Sequence, residues 1–310
     1  MTASLPQALK EYLAMRRALG YKLQRPGQLL AQFVAYLAEH DTDVITIDHA
    51  LAWATLPATA SPRWWALRLS AVRSFAAYLH VLNPAHQVVP PGLLGPAKSR
   101  ATPYLYTDAE IDSLMEAAAR LPSPLNAATY RTLLGLLTVT GLRIGEAIAL
   151  DVADLDAEHD VLTIRNTKFG KDRLVPLHAS TTGALRAYLD QSRRLCPGAP
   201  AGPLLISTRG TRLRHVTVSA TFGRLVKGAG LSARSASCRP RIHDLRHSFA
   251  VRTLLEWYRH GADVPALLPR LSTYLGHIDP GSTYWYLSAA PELLALAGQR
   301  LEAHLQKGSS

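Results

Sequence analysis

The chain has 310 residues, 48% of them apolar, with a formal charge of +11 and a pI of about 9.9. That is length for two domains and enough apolar side chains for a sizeable core, and the basic balance suits a polyanionic partner, nucleic acid before an anionic membrane surface. The two cysteines, Cys196 and Cys238, make neither a C-x-x-C pair nor a disulfide framework. The stretch "MTASLPQALKEYLAMRR" has no apolar signal core, and no run of 18 apolar residues occurs, so neither a secretory leader nor a membrane-spanning helix is expected, and a cytoplasmic protein is.

The predicted elements begin with four helices. Leu9, Leu13 and the residues up to Leu19 follow a helical period that "GY" at Gly20 and Tyr21 breaks. A second helix restarts after Pro26 with Leu29, Phe33, Val34 and Leu37 on one face. A short third helix is expected with Asp48 as its N-cap. A fourth has Ser61 as cap, Pro62 at its first position and Leu67, Ala71, Phe75 and Leu79 in phase. Residues 83–103 hold five prolines, two glycines and no acid, which predicts a linker.

The second half is mixed. Thr107 and Glu110 form a capping-box signature, and "AATYRTLLGLLTVTG" is a buried-looking helix. Val161 to Thr167 and Arg173 to Leu177 are β-rich runs around a glycine-containing turn, hence a hairpin. Helices return from about Ala179, and "RIHDLRHSFAVRTLLEWYRHG" is strongly amphipathic. Both parts are basic: residues 1–100 carry 10 Lys and Arg against 5 Asp and Glu, and Ser192 to His243 contains ten Lys and Arg with no acid. Such a one-sided run, with hydroxyls in "STRGTRLRH", suits phosphate contact.

The chemistry-bearing residues are scattered. "TGLRIGEAIAL" sets Arg143 three residues before Glu146. "RIHDLRHSFA" places His243, Arg246 and His247 on one helical face. Zinc would suit H-x-x-x-H, but Asp244 stands where a zinc enzyme of that helical type carries glutamate and Arg246 would put a cation beside the metal, so an anion site is the better reading. "NTKFGKDR" offers Lys168, Lys171 and Arg173 around the hairpin turn.

In the order Arg143, Lys168, His243, Arg246, His277, Tyr286 the chain carries T-G-L-R-x-x-E, K-x-x-K-x-R-x-V-P-L, H-x-L-R-H, L-G-H and a tyrosine nine residues after that last histidine. This ordered set resembles the tyrosine recombinase, or phage integrase, family. The resemblance implies a mainly α fold with a small β-sheet: a helical, SAM-like core-binding domain over 1–82, the linker over 83–103, and over 104–310 a catalytic domain of helices with a small antiparallel sheet, the two forming a C-shaped DNA clamp. It implies that Arg143 and Arg246 clamp the scissile phosphate and that His243 is the general base or a phosphate ligand. His277 hydrogen-bonds the same phosphate, and Lys168, with Lys171 as the alternative, protonates the leaving 5′ oxygen. Tyr286 is the nucleophile, and Glu146 and His247 are supporting residues. No metal or cofactor is implied. The partners implied are double-stranded DNA and a homo-tetramer on two DNA sites, assembled from a protein that is monomeric or weakly associated off DNA.

The expected function is site-specific DNA recombination through a 3′-phosphotyrosyl intermediate, with integration or excision of a mobile element as setting. A type IB topoisomerase-like nicking and closing activity and a catalytically silent DNA-binding protein are the alternatives. Tyr284, Trp285 and Tyr286 are neighbours, and on a helix the two tyrosine rings point about 200° apart, so only one of them faces a phosphate. Trp285 departs from the small polar or charged residue usual there. The leucines of the tail, Leu293, Leu294, Leu296 and Leu301, are expected along a last helix whose apolar stripe would pack on its own domain, although the resemblance implies that this region often docks on a neighbouring protomer.

Overall fold

The computed structural model describes residues 4–95, 102–165, 172–200, 202–277, 279, 281–289, 292, 293 and 298. The chain divides into two compact units, Met1–Arg100 and Ala101–Ser310. Among the described residues no helix is long and apolar enough to cross a membrane.

In the first unit α1 (Leu5–Ala18), α2 (Gln24–Glu39), α3 (Ile47–Thr55) and α4 (Pro62–Leu82) pack around Phe33, Leu37, Trp53, Val72 and Phe75, all buried. Ser61 caps α4 by accepting the Trp64 N–H, with Pro62 in the first turn. Two local expectations change. α2 begins at Gln24, so Pro26 falls inside the first turn, where its missing N–H leaves no intrahelical bond unmade. Thr46, rather than Asp48, caps α3, its hydroxyl accepting the His49 N–H at 3.1 Å. Residues 83–95 of the Pro-rich stretch pack on this same unit. Val89 is fully buried, Arg73 donates from Nε to its carbonyl at 2.9 Å, and the Gln87 N–H bonds the Ile45 carbonyl at 2.8 Å. Proline bars regular elements there without barring contact.

The second unit is built on α6 (Pro124–Thr140), which lies against α5 (Asp108–Ala119), α8 (Ala179–Leu195) and α10 (Asp244–Arg259). The Thr107–Glu110 capping box starts α5. The other α-helices among the described residues of this unit are α7 (Ile144–Ala149), α9 (His215–Gly228), α11 (Val264–Leu275) and α12 (Gly281–Ala289). The sheet is a three-stranded antiparallel meander, β1 (Leu155–Asp156), β2 (Val161–Ile164) and β3 (Arg173–Pro176), with Leu162 opposite Val175 and Ile164 opposite Arg173. Leu162, Ile164 and Val175 turn inward while Leu174 faces solvent, the period-2 alternation of a half-buried sheet. Thus the chain is mainly helical with one small antiparallel sheet, as expected. A second apolar cluster, formed by α10, α11 and α12, encloses Tyr286 among Val251, Leu254, Leu268 and Leu271, and includes Leu293. Leu294, Leu296 and Leu301 lie outside the described residues.

The basic stretch has two faces. Arg212, Arg234 and Arg241 bind acids outside it, Asp151, Glu110 and Asp244, while Arg194, Arg209, Arg214, Lys227 and Arg239 are exposed.

On α6, Leu133 is fully buried and Val139 is half exposed. Truncating a buried leucine loses transfer energy and leaves a cavity, so Leu133→Ala is expected to cost about 2–5 kcal/mol, whereas Val139→Ala stays within about 0.5 kcal/mol. Urea unfolding of the full chain followed by circular dichroism checks this; equal costs at both positions would contradict this packing of α6.

Candidate active site

Two glycines at helix ends frame the site. α6 and α11 each stop at a glycine in the left-handed region, Gly141 at φ 61° and Gly276 at φ 67°, a conformation that costs other residues about 1–2 kcal/mol. A Cβ on Gly141 would meet the Phe249 ring at 2.5 Å, and one on Gly276 would meet Arg173 Nη1 at 2.8 Å. The carbonyls at these ends hold the arginines. Arg246 donates from Nη1 to the Gly141 carbonyl at 2.8 Å and from Nη2 to the Leu275 carbonyl at 2.6 Å. Arg143, the residue before α7, donates from Nη2 to the Gly276 carbonyl at 2.8 Å. Helix C-termini carry partial negative charge, so each guanidinium is oriented at a helix end.

Glu146 binds the remaining edge. Its carboxylate accepts Arg143 Nη1 at 2.8 Å, the Arg143 N–H at 3.0 Å, and a fork from Arg173, Nη1 at 3.1 Å and Nη2 at 2.7 Å. Burial pulls its pKa upward, but the hydrogen bonds from Arg173 and Arg143 and the Arg173 charge outweigh burial and hold it at about 2. Arg173 Nε donates to the Tyr274 carbonyl at 3.0 Å. Arg246 is only 2% exposed, and burial together with the neighbouring Arg143 charge lowers its pKa to about 10, so it stays protonated at neutral pH. Among the described residues three guanidiniums therefore gather around the Glu146 carboxylate, and the excess positive charge favours an anion with bidentate acceptors such as phosphate.

The second half of the site comes from α10, α12 and the turn between α11 and α12. Tyr286 is 2% exposed, and its hydroxyl lies 3.2 Å from His247 Nδ1. The His277 ring lies 6.0 Å from the Tyr286 ring, nearly parallel to it, and His277 Nδ1 hydrogen-bonds Thr283 Oγ1 at 2.7 Å. His243 occupies the N-cap position of α10 rather than its interior, is exposed, and meets the His247 ring edge-on at 4.8 Å. Trp285 packs edge-on against His247 at 5.4 Å, while Tyr284 is 52% exposed. Of the expected site residues, Arg143 and Glu146 are hydrogen-bonded to each other, Arg143 and Arg246 meet at the adjoining ends of α6 and α11, and His243, His247, His277 and Tyr286 form a chain of ring contacts; Tyr286 lies close enough to Arg246 for a phenolate there to interact with its charge. Lys168 and Lys171 lie outside the described residues. Among the described residues no group of three or more His, Cys, Asp and Glu could hold a metal ion.

Two contributors carry no role in the sequence reading. Arg173 shares the inner face of β3 with buried Val175, and a charged residue on the apolar phase of a strand is the signal that could have found it. Asp244 is 1% exposed and gripped by Arg241, Nε to Oδ2 and Nη2 to Oδ1 both at 2.9 Å.

Residues 105–292 match a family model described as the phage integrase family. Over 302 residues, 96% of each chain, the sequence is 47% identical to a protein of Sinorhizobium fredii (strain NBRC 101917 / NGR234) named "Putative integrase/recombinase y4rB". It is 32% identical to "Tyrosine recombinase XerD" of Caulobacter vibrioides (strain ATCC 19089 / CIP 103742 / CB 15), over 83% of this chain and 80% of that one. Among solved structures, the integrase of transposon Tn1549, in complex with a circular intermediate DNA, matches with a TM-score of 0.65 over 92% of this chain and 95% of that one. At 18% identity that likeness is one of fold.

The Glu146 interactions set a pH dependence. A carboxyl whose pKa falls from its ordinary 4.5 to about 2 on folding stabilises the fold above 4.5 and loses that contribution as pH falls toward 2. Wild type is expected to exceed Glu146→Gln by about 3 kcal/mol near neutral pH, with the gap closing between pH 4.5 and 2. Unfolding of both proteins across that range is the check; a gap independent of pH would contradict it.

Proposed function

Because the chain belongs to the phage integrase family of tyrosine recombinases, DNA breaking and rejoining enzymes, we propose that it recombines specific DNA sites through a covalent phosphotyrosyl bond to Tyr286. The observation that carries this reading is the convergence of Arg143 and Arg246 on the ends of α6 and α11, in the same site as a buried tyrosine.

The chemistry follows from those residues. A phosphodiester under attack gains negative charge in its pentacoordinate transition state, and Arg143 and Arg246, already oriented, neutralise it without reorganising. A phenol with a pKa of about 10 is a weak nucleophile at neutral pH. Positive charge nearby and an in-line position are what make the Tyr286 oxygen effective. Attack joins that oxygen to phosphorus and releases a 5′ hydroxyl, to which Lys168 or Lys171 gives the proton. His277 hydrogen-bonds the same phosphate, and Glu146 fixes Arg143 rather than reacting. The phosphotyrosyl ester retains the energy of the bond that was broken. A 5′ hydroxyl from a second duplex therefore reverses the step without ATP, and strand exchange takes two duplexes and four protomers.

The rest of the chain fits this use. The four-helix unit, residues 1–82, serves as a core-binding domain joined through residues 83–103 to the catalytic domain over 104–310, and the exposed arginines after Ser192 contact phosphates along double-stranded DNA. The relatives named integrase or recombinase support a mobile element as the setting, and the two free cysteines fit a cytoplasmic protein.

A nicked suicide duplex from the genetic neighbourhood of the coding sequence tests the reading. Wild type is expected to accumulate a covalent protein–DNA adduct, and Tyr286→Phe, which lacks the nucleophilic oxygen, none. An adduct formed by Tyr286→Phe would overturn it, and relaxation of supercoiled DNA irrespective of sequence would favour a nicking and closing enzyme instead.

A further inference from the structure

We propose that His247 is the catalytic base that takes the proton from the Tyr286 hydroxyl, a role that rests on Tyr286 being the nucleophile. The contact is direct: His247 Nδ1 lies 3.2 Å from the phenol oxygen, within the reach a proton transfer needs. Both residues are buried, His247 at 6% exposure and Tyr286 at 2%. Water therefore competes poorly for the proton, and an ionic product of the transfer requires protein groups to stabilise it.

Those groups are in place. On the far side of the His247 ring, Nε2 lies 3.9 Å from Asp244 Oδ1. That is too long for a hydrogen bond and short enough for a strong charge interaction. The carboxylate favours the tautomer with the hydrogen on Nε2, which leaves the Nδ1 lone pair facing the phenol. It also stabilises the imidazolium formed by the transfer. Asp244 is itself fixed by the Arg241 fork. The titratable groups facing His247 among the described residues include His243 and Asp244 on the N-terminal turn of α10 and Tyr286 from α12, with Arg241 behind Asp244. His243, exposed at the N-cap, is then left to act on the phosphate.

The step balances. The phenol O–H bond breaks, its proton passes to Nδ1 and its electron pair forms the O–P bond. The P–O bond to the 5′ oxygen breaks, and that oxygen takes a proton from the general acid. In the reverse step the 5′ hydroxyl returns its proton to the general acid as its oxygen bonds phosphorus, the phenol O–P bond breaks, and the departing phenolate recovers its proton from His247.

The clean variant is His247→Asn. The Asn side-chain oxygen occupies the place of Nδ1 and still accepts the phenol hydrogen bond, but an amide cannot take the proton. With the full-length chain on a nicked suicide duplex, adduct formation at neutral pH is expected to fall by about 100-fold or more, while gel-shift affinity for the same duplex stays within about twofold. The deficit narrows as pH rises toward the ordinary phenol range near 10, and the wild-type rate alone falls in acid as His247 protonates. Replacing the leaving 5′ oxygen by sulfur, which needs no acid to depart, leaves the His247→Asn deficit in place. His247→Gln, which keeps an amide facing Asp244 instead, gives the same loss and guards against a folding defect peculiar to one variant. A wild-type rate and pH profile in either variant that binds DNA overturns the proposal, as does recovery on the sulfur substrate, which would put His247 on the leaving-group side. An adduct in Tyr286→Phe would remove the nucleophile and this proposal together, an outcome distinct from the other two.

Discussion

The site depends on burying guanidinium groups without burying equal negative charge beside them. Arg246 is almost wholly enclosed, and its hydrogen bonds go to main-chain carbonyls at the ends of α6 and α11 rather than to a carboxylate. Carbonyls orient a cation and lower the cost of desolvating it, but they carry no formal charge to cancel it. Glu146 supplies a carboxylate and divides it between Arg143 and Arg173. A full set of ion pairs would have made a more stable and chemically inert core, since removing one partner of a buried pair is costly and the pair satisfied is content. Here the shortfall of negative charge suits the phosphate that the proposed function brings to the site.

The helix ends explain the glycines that flank the arginine and histidine in the two short motifs. Gly141 and Gly276 have left-handed backbones, and each brings its carbonyl within 2.8 Å of a guanidinium. A side chain at either position would collide with Phe249 or Arg173. The two motifs lie more than a hundred residues apart, yet Arg246 joins both helix ends. Separate segments are thereby tied into one cradle, to which the α10–α12 cluster adds Tyr286.

Much of the fold was legible because its signals are local. Ser61 with Pro62 and Thr107 with Glu110 announce helix starts through side-chain oxygens that accept specific N–H groups, and the apolar spacing of α2 and α4 needs only a 3.6-residue period. What was not legible depends on tertiary placement. β1, two residues long, has no period to detect. Thr46 outcompetes Asp48 as cap by one turn geometry that composition does not rank. The resemblance, which implies a nucleophile nine residues after His277, singles out Tyr286 over Tyr284, but nothing in the sequence says that His247 rather than His243 meets the phenol, because that follows from how α12 lies against α10. Arg173 escaped for a related reason: its strand phase is visible, but its partner Glu146 lies 27 residues away.

The central claim is that buried, undercompensated guanidinium charge serves the scissile phosphate, and changing the charge of that phosphate tests it most directly. Cleavage by wild type and Arg246→Ala would be compared on ordinary DNA and on DNA carrying a neutral methylphosphonate at the scissile position. Losing a charge-stabilising donor costs about 100-fold or more where charge develops, so a large loss is expected on ordinary DNA. On the neutral linkage the same substitution should cost about tenfold or less, because there is little charge left to stabilise. An equal loss on both substrates would contradict the account and make Arg246 a structural residue.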